Sequence, residues 1–476
     1  MERDRTAMYA VRLWSVRHAR GLRRVYRWGA GVAPLLAPLL RWLGPRRGEA
    51  LLYPLERTLK RLFFDCRECG QCVLSLTGMA CPMNCPKQMR NGPCGGVRVD
   101  GGCEVRPEMR CVWVEVMDGR RRIEPALAES CPTLPPVDGQ RHGRSTWIQV
   151  IHGQREPVVS APPRPPRRVR STTLGPFEAA CRSGRTVVTV ELAPPDSADP
   201  AELLERAAGF RGLVDAINIT DGAGGNCHMS SVAAAAVLAA HGYVPVYQTV
   251  CRDRNRIAIQ GDLLGAAALG VRNVLCLTGD DVSRGDQPEA RPVFDLDAVT
   301  LLGIARGMCE QGQFASGRRL TTAPDLFLGA TVNPFVPPGE QRLANLEQKV
   351  AAGARFIQTQ FCFDVPAFAE FMAAVRRRGL HEQAFILAGA GTLGSARALR
   401  WMVANVPGVQ VPEGLLRRIE AAADEPAELK RVCIETVREL AVIDGVAGIH
   451  LMGHRNESVL AEIIVESGLA ARPRQN

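Results

Sequence analysis

From residue 173 onward the chain repeats one alternation: a short apolar, β-branched run, then a longer segment with helical spacing. The runs are TVVTVEL, DAINIT, VPVYQTVC, VRNVLCLTG, LFLGATV, ARFIQTQF, AFILAGAG and AGIHLMG. Between them lie segments such as PAELLERAAGF, SSVAAAAVLAAHG, DAVTLLGIARGM, QRLANLEQKVAAGA and PAFAEFMAAV, several of them stopped by glycine. Eight strand–helix units in about 300 residues match an α/β fold of the (β/α)8 TIM-barrel class in number and size. A doubly wound open sheet is the alternative, weakened by the lack of a GxGxxG run after the first strand.

Barrels of this kind carry their chemistry at the C-terminal ends of the strands. Those ends hold Glu191, Thr220, Gln248, Asp280, Asn333, Gln360 and Arg455. Together they make a polar ring of two acids, several neutral polar groups and one guanidinium. His228, His450 and His454 are lone histidines near strand ends, read as satisfied structural residues.

The first third of the chain is different in texture. Residues 1–62 are basic and helical in pattern, 63–131 are rich in cysteine and glycine, and 132–172 form a proline- and arginine-rich connector before a barrel at 173–470. The net charge is +10, and much of the excess lies in 1–62 and in RPPRRVR. A basic helix there packs on the rest of the chain, or docks on a partner or an anionic membrane surface as a peripheral contact. With 5% aromatic residues and no aromatic-rich basic face, nucleic acid is not expected as a partner. The run VAPLLAPLL is too short for a span of about 20 residues, and no signal-peptide pattern is present. The expected location is the cytoplasm, where cysteines stay reduced unless they hold metal.

Eight cysteines fall within 46 residues: Cys66, Cys69, Cys72, Cys81, Cys85, Cys94, Cys103 and Cys111. Such density in a reducing compartment points to thiolate metal sites rather than disulfides. Cysteine-only ligation suits zinc and iron–sulfur clusters equally, and the spacing departs from the bacterial ferredoxin run because eight residues separate Cys72 from Cys81. Cys131 and the barrel cysteines read as buried apolar residues.

Several stretches, VTVELAPP, INITDGAGG, NVLCLTGDD, NLEQKVAAGARFIQTQFCFD and LMGHRNES, together resemble the methylenetetrahydrofolate reductases, in order, over about residues 175 to 470. The resemblance implies a flavin, FAD over FMN, passing a hydride to the one-carbon unit of 5,10-methylenetetrahydrofolate. It implies Glu191 as the general acid and Asp280 as the carboxylate between flavin and folate, with Gln360 and Arg455 on the substrate. It implies flavin contacts from Thr220, Gly222, Ala223, Gln248, Thr278, Gly279, Asn345 and Lys349. The sequence departs from the family pattern at Gln248, where histidine is usual, and at Asn333-Pro334, where an aromatic residue precedes proline.

The cysteine-rich stretch resembles the partner subunit that accompanies the reductase in acetogens, here fused ahead of the barrel. That resemblance implies two [4Fe–4S] clusters, favoured over zinc, relaying electrons between the flavin and a donor such as ferredoxin or NADH. A corrinoid methyltransferase or other redox protein is a further expected partner, and an oligomer is expected. The competing expectation is a zinc-held docking domain that binds such a partner.

Overall fold

The computed structural model describes residues 2–128, 132–153, 174–336, 339–406, 408–453 and 455–470. Cys131, His454 and most of the expected connector lie outside them. The described residues fall into two compact units, one on each side of residue 162.

In the second unit each of the eight apolar runs forms a strand. These are β1 (Val187–Leu192), β2 (Ala216–Ile219), β3 (Pro245–Val250), β4 (Asn273–Leu277), β5 (Phe327–Val332), β6 (Phe356–Phe361), β7 (Phe385–Gly391) and β8 (Val446–Met452). They pair in sequence order, all parallel, and β8 closes on β1. The helices between them bury the outward side chains of the strands, Val188, Val190, Ile217, Ile219, Val274 and Cys276 among them. The expected (β/α)8 barrel is thus the architecture present.

The inward positions form three storeys, because strand side chains alternate. At the bottom Val187, Ala216, Val246, Leu275, Phe327, Phe356 and Leu387 pack together. The short helix Pro176–Arg182 adds Phe177, whose ring meets Phe356 edge-on at 5.2 Å and Phe327 at 5.7 Å. Gly329 makes room for this plug: a Cβ there would stand 2.3 Å from the Phe356 ring. Two residues further up the strands the storey is polar, with Thr189, Asn218, Gln358 and His450. Two further again is the rim.

The first unit is built on the helix Ala19–Phe64, which is interrupted at Gly44 (φ 76°) and ends at Asp65 in the left-handed region (φ 48°). Among the described residues no helix is long and apolar enough to cross a membrane. Residues 132–153, expected as the start of the connector, fold onto this long helix. Ile148 and Ile151 pack against Ala37 and Leu40. The buried carboxylate of Glu56 explains why they do. It accepts from Lys60 Nζ, Ser145 Oγ and Thr146 Oγ1, each at 2.5 Å, and a buried charge needs such donors.

The bottom plug should dominate barrel stability. Phe356 is fully buried, so Phe356→Ala is expected to cost about 3–5 kcal/mol, read as a lower urea midpoint for the barrel unit, with the rim chemistry untouched.

Candidate functional site

The rim starts from Glu191, the last inward residue of β1. Its half-buried Oε2 accepts from Gln248 Nε2 of β3 at 3.2 Å and lies 3.9 Å from His450 Nε2 of β8. Burial pushes the Glu191 carboxyl above its ordinary value; the hydrogen bond from Gln248 opposes this, and the charge of Asp280 adds to the rise. A shift in that direction suits a carboxyl that serves as a general acid.

Asp280 follows β4 and is exposed. Its Oδ2 accepts from the backbone N–H of Gly224 at 3.2 Å, tying the end of β4 to the turn after β2. That turn needs Gly222: its φ is 56°, and a Cβ there would stand 2.4 Å from Arg252 Nη2. Thr220, at the top of β2, has a buried hydroxyl with no hydrogen-bond partner among the described residues. Ala223 is exposed on the same turn.

The other expected residues divide by what already holds them. The Thr278 hydroxyl accepts from the backbone N–H of Ala298 at 3.2 Å and so caps the helix Ala298–Gln311, with Gly279 next to it before Asp280. Gln360, on β6, accepts the backbone N–H of Phe361 on its Oε1 at 3.0 Å. Arg455 is exposed just past β8, with its backbone at φ 52°. Asn345 and Lys349 lie one turn apart on the helix Gly339–Ala352, but the Lys349 ammonium donates to the backbone carbonyl of Thr331 at 2.7 Å.

Of the storey beneath the rim, sequence reading named only His450, as a satisfied structural residue. His450 Nδ1 meets Thr189 Oγ1 at 2.9 Å and Gln358 Nε2 at 3.3 Å. Gln358 also exchanges hydrogen bonds with Asn218 in both directions, at 2.6 and 3.0 Å. An amide nitrogen can only donate, so Nδ1 is the acceptor and the ring proton sits on Nε2, toward Glu191. Burial pulls His450 down to about 3, so the ring is neutral. A signal for this layer was present: Thr189, Asn218 and Gln358 each stand two residues before a rim residue. Arg252 was also missed; it is buried beneath the β2 turn and paired to Asp253 at 2.8 Å.

In the first unit the eight cysteines separate into two quartets. Cys66, Cys69, Cys72 and Cys81 line one cavity together with Lys60 and Arg90. Cys81 is surrounded electrostatically by the other three thiols of that set. Cys85, Cys94, Cys103 and Cys111 form the second set, each coupled to another of the four. A small antiparallel turn presents this second set: the Cys103 N–H donates to the Met109 carbonyl at 3.0 Å, and that of Cys111 to the Gly101 carbonyl at 2.9 Å. Beside it lies the buried Lys87–Glu104 ion pair, with Cys94 Sγ 3.6 Å from Glu104 Oε1. Burial pushes Cys66 and Cys85 up to about 11 and Cys111 up to about 12. Such thiols stay protonated at neutral pH unless a cation replaces the proton. Among the described residues no three histidine, cysteine, aspartate or glutamate side chains converge closely enough to hold a single metal ion.

The family described as methylenetetrahydrofolate reductase matches residues 176–468. A second family, described as methylene-tetrahydrofolate reductase C terminal, matches residues 47–136, the stretch that contains both quartets. The chain is 25% identical over 264 residues to methylenetetrahydrofolate reductase 2 of Schizosaccharomyces pombe, covering 54% of this chain and 41% of that protein. It is 25% identical over 246 residues to a probable methylenetetrahydrofolate reductase (NADPH) of Caenorhabditis elegans, covering 50% of this chain and 34% of that one. The chain therefore spans less than half the length of these two relatives. A similar solved structure is an uncharacterized protein from Clostridium thermocellum that binds two copies of 5-methyl-5,6,7,8-tetrahydrofolic acid. The TM-score is 0.45 at 13% identity, covering 62% of this chain and 99% of that one.

The raised carboxyl makes a stability prediction with a definite sign. In the fold Glu191 binds its proton more tightly than the ordinary value of 4.5. Its contribution is therefore fully present below 4.5 and is lost as pH rises through the folded value. Glu191→Gln should melt at a higher temperature than the wild type at about pH 8, and the two should converge at about pH 4; equal midpoints at both would contradict the assignment.

Proposed function

The chain belongs to the methylenetetrahydrofolate reductase family, and on that premise we propose that it interconverts 5,10-methylenetetrahydrofolate and 5-methyltetrahydrofolate at the barrel rim. A flavin is the hydride carrier in this reading, and the two thiol quartets hold iron–sulfur clusters that exchange electrons with it. The observation that carries the proposal is the place of Glu191, a carboxyl at the mouth of the barrel that accepts from Gln248 at 3.2 Å and whose proton affinity burial raises.

The reduction needs one proton and one hydride. Glu191 gives its proton to the ring nitrogen that leaves the one-carbon unit, which opens the five-membered ring to an iminium cation. The flavin, when bound, supplies the hydride that turns this cation into the 5-methyl product. Gln248 holds the carboxyl in place through its 3.2 Å hydrogen bond. The Asp280 carboxylate stabilises the cation from the opposite part of the rim, because charges in a partly dry site act strongly on one another. Gln360 spends its carbonyl oxygen on its own backbone, so its amide N–H groups serve the pterin, with Arg455 on the same substrate. Read in reverse, the ionised Glu191 takes the proton back and the same residues serve methyl oxidation.

The residues at hand fit a flavin. Thr220 offers a buried hydroxyl with no other partner, and Gly222 lets the backbone come close. Gln248, Thr278, Gly279, Ala223, Asn345 and Lys349 complete the expected set, with FAD the first expectation. The thiols fit iron–sulfur clusters. Four sulfurs suit one [4Fe–4S] cluster, and eight suit two. Four thiols per set also suit one zinc each; the preference for the relay over a zinc-held docking domain follows the resemblance of the cysteine-rich stretch. Ferredoxin, NADH or a corrinoid-dependent methyl-transfer partner remain the expected electron or substrate partners.

Two measurements test the proposal. Glu191→Gln should lose about 10²- to 10⁴-fold in folate turnover while keeping its flavin; full turnover would remove Glu191 from the acid role. The chain purified without oxygen should be brown and carry about eight irons. Cys81→Ser and Cys111→Ser should each abolish the spectrum of one cluster and spare the other. A colourless first unit with zinc in place of iron would sink the relay.

A further inference from the structure

The long helix Ala19–Phe64 is apolar on two opposite faces, and only one of them is covered. The inner face is used within the first unit: Ala19 packs with Leu74 and Met79, and Ala37 and Leu40 pack on Ile148 and Ile151. The outer face holds Trp28, Leu35, Leu39 and Trp42, at i, i+7, i+11 and i+14, hence on one side of the helix before its interruption at Gly44. These four side chains are 73%, 78%, 55% and 80% exposed. A single apolar side chain at a surface needs no explanation, but a row of four, two of them tryptophan, does.

The charges of the same stretch are a second, separate observation. From residue 17 to residue 48 the sequence holds eight arginines and no acid. Arg20, Arg24, Arg27, Arg46 and Arg47 are exposed and make no ion pair among the described residues. Other cations of this unit are matched: Arg12 with Glu115, Arg57 and Arg61 with Glu68, and Lys60 with Glu56. Arg20, Arg24 and Arg27 continue the side of the helix that carries Trp28, and Arg46 and Arg47 follow the interruption. Unmatched cations therefore stand at both ends of the apolar row. A second copy of the helix laid along this face, in either direction, would set arginine against arginine.

We propose that the outer face of this helix, from Arg20 to Arg47, docks on an anionic phospholipid surface. Trp28, Leu35, Leu39 and Trp42 enter the boundary between headgroups and acyl chains, and the flanking arginines bind the headgroup phosphates. Side chains this exposed form a ridge rather than a pocket. A ridge that is apolar at its centre and cationic at its ends fits a layer that is apolar inside and anionic at its face. A guanidinium offers two parallel N–H donors to a phosphate, and an indole has an apolar body with one N–H for the polar level. No described helix can cross a membrane, so the contact is with one leaflet. The inference does not depend on the reading of the barrel rim.

The test sediments the full chain with vesicles of phosphatidylcholine alone and of phosphatidylcholine mixed with phosphatidylglycerol. The chain should pellet with the mixed vesicles and stay in solution with the neutral ones, and added salt should release it. Arg24→Gln and Arg27→Gln should each weaken binding about fivefold, the scale of one basic side chain near an anionic surface. Trp28→Ser and Trp42→Ser should each weaken it about tenfold, the scale of partly burying a large apolar side chain. Arg319→Gln, at an exposed arginine of the barrel unit, should change nothing. All these side chains are exposed, so the melting temperatures should match the wild type. Bromine-labelled acyl chains should quench tryptophan emission, and Trp28→Phe combined with Trp42→Phe should remove that quenching. Attraction of a basic protein by charge alone would not produce it. Equal binding to both vesicle types, or to neither, would overturn the proposal, as would quenching that survives the double variant. Binding to mixed vesicles that all four single substitutions leave intact would overturn it and assign the row to an acidic protein partner. A stable dimer that Trp42→Ser dissociates would overturn it and assign the row to a second copy.

Discussion

One hydrogen-bonded layer holds the reactive end of the barrel in order. Gln358 exchanges two hydrogen bonds with Asn218 across the interior and donates to His450, which also meets Thr189. Four strands, β1, β2, β6 and β8, are thereby tied together inside the barrel. Buried polar groups are costly when unpaired, so the layer tolerates few rearrangements. Its consequence is chemical. Gln358 makes Nδ1 of His450 the acceptor, which leaves the imidazole N–H on Nε2, on the side of Glu191. The neutral ring offers a weak donor and no full charge, so Glu191 is left to be governed by burial, Gln248 and Asp280.

The barrel interior therefore grades from dry to wet along its axis. The phenylalanine plug closes the bottom, neutral amides and a neutral imidazole fill the middle, and the carboxyl groups Glu191 and Asp280 stand at the top. That gradient gives the rim a floor without water. A carboxyl above such a floor gains proton affinity without a dedicated charged partner, and one carboxylate further round the rim increases the effect.

The first unit solves a different problem with similar means. Protonated thiols are poor ligands, and burial raises the proton affinity of Cys66, Cys85 and Cys111. A soft cation reverses this by taking the place of the protons. The surrounding polypeptide also carries buried polar contacts of its own. Glu56, Lys60, Ser145 and Thr146 lock the long helix to the segment that follows the cysteines, and Lys87 pairs with Glu104 beside the second quartet. Each quartet thus has its own charged neighbour, which suits two centres of unequal electrostatic environment.

What the sequence determined by itself is local and periodic. The eight strands, their order and the barrel class were legible because alternating burial writes itself into a period of two, and intervening helices into one of 3.6. The rim residues on β1, β2, β3 and β6 could be named because strand ends are where such runs stop. The eight cysteines announced themselves by density. The tertiary structure decided the pairings. That Glu191 meets Gln248 rather than a cation, that Thr189 meets a histidine 261 positions away, and that the cysteines divide four and four all depend on closure of the ring and of the turns. The same holds for the two cations of the Gly339–Ala352 helix. Their spacing marks them as equals, yet the Lys349 ammonium donates to a backbone carbonyl of β5, while Arg342 Nε and Nη1 have no hydrogen-bond partner among the described residues. Hydrogen bonding and desolvation act over a few ångströms in space, and the chain brings distant residues to that range only once it has folded.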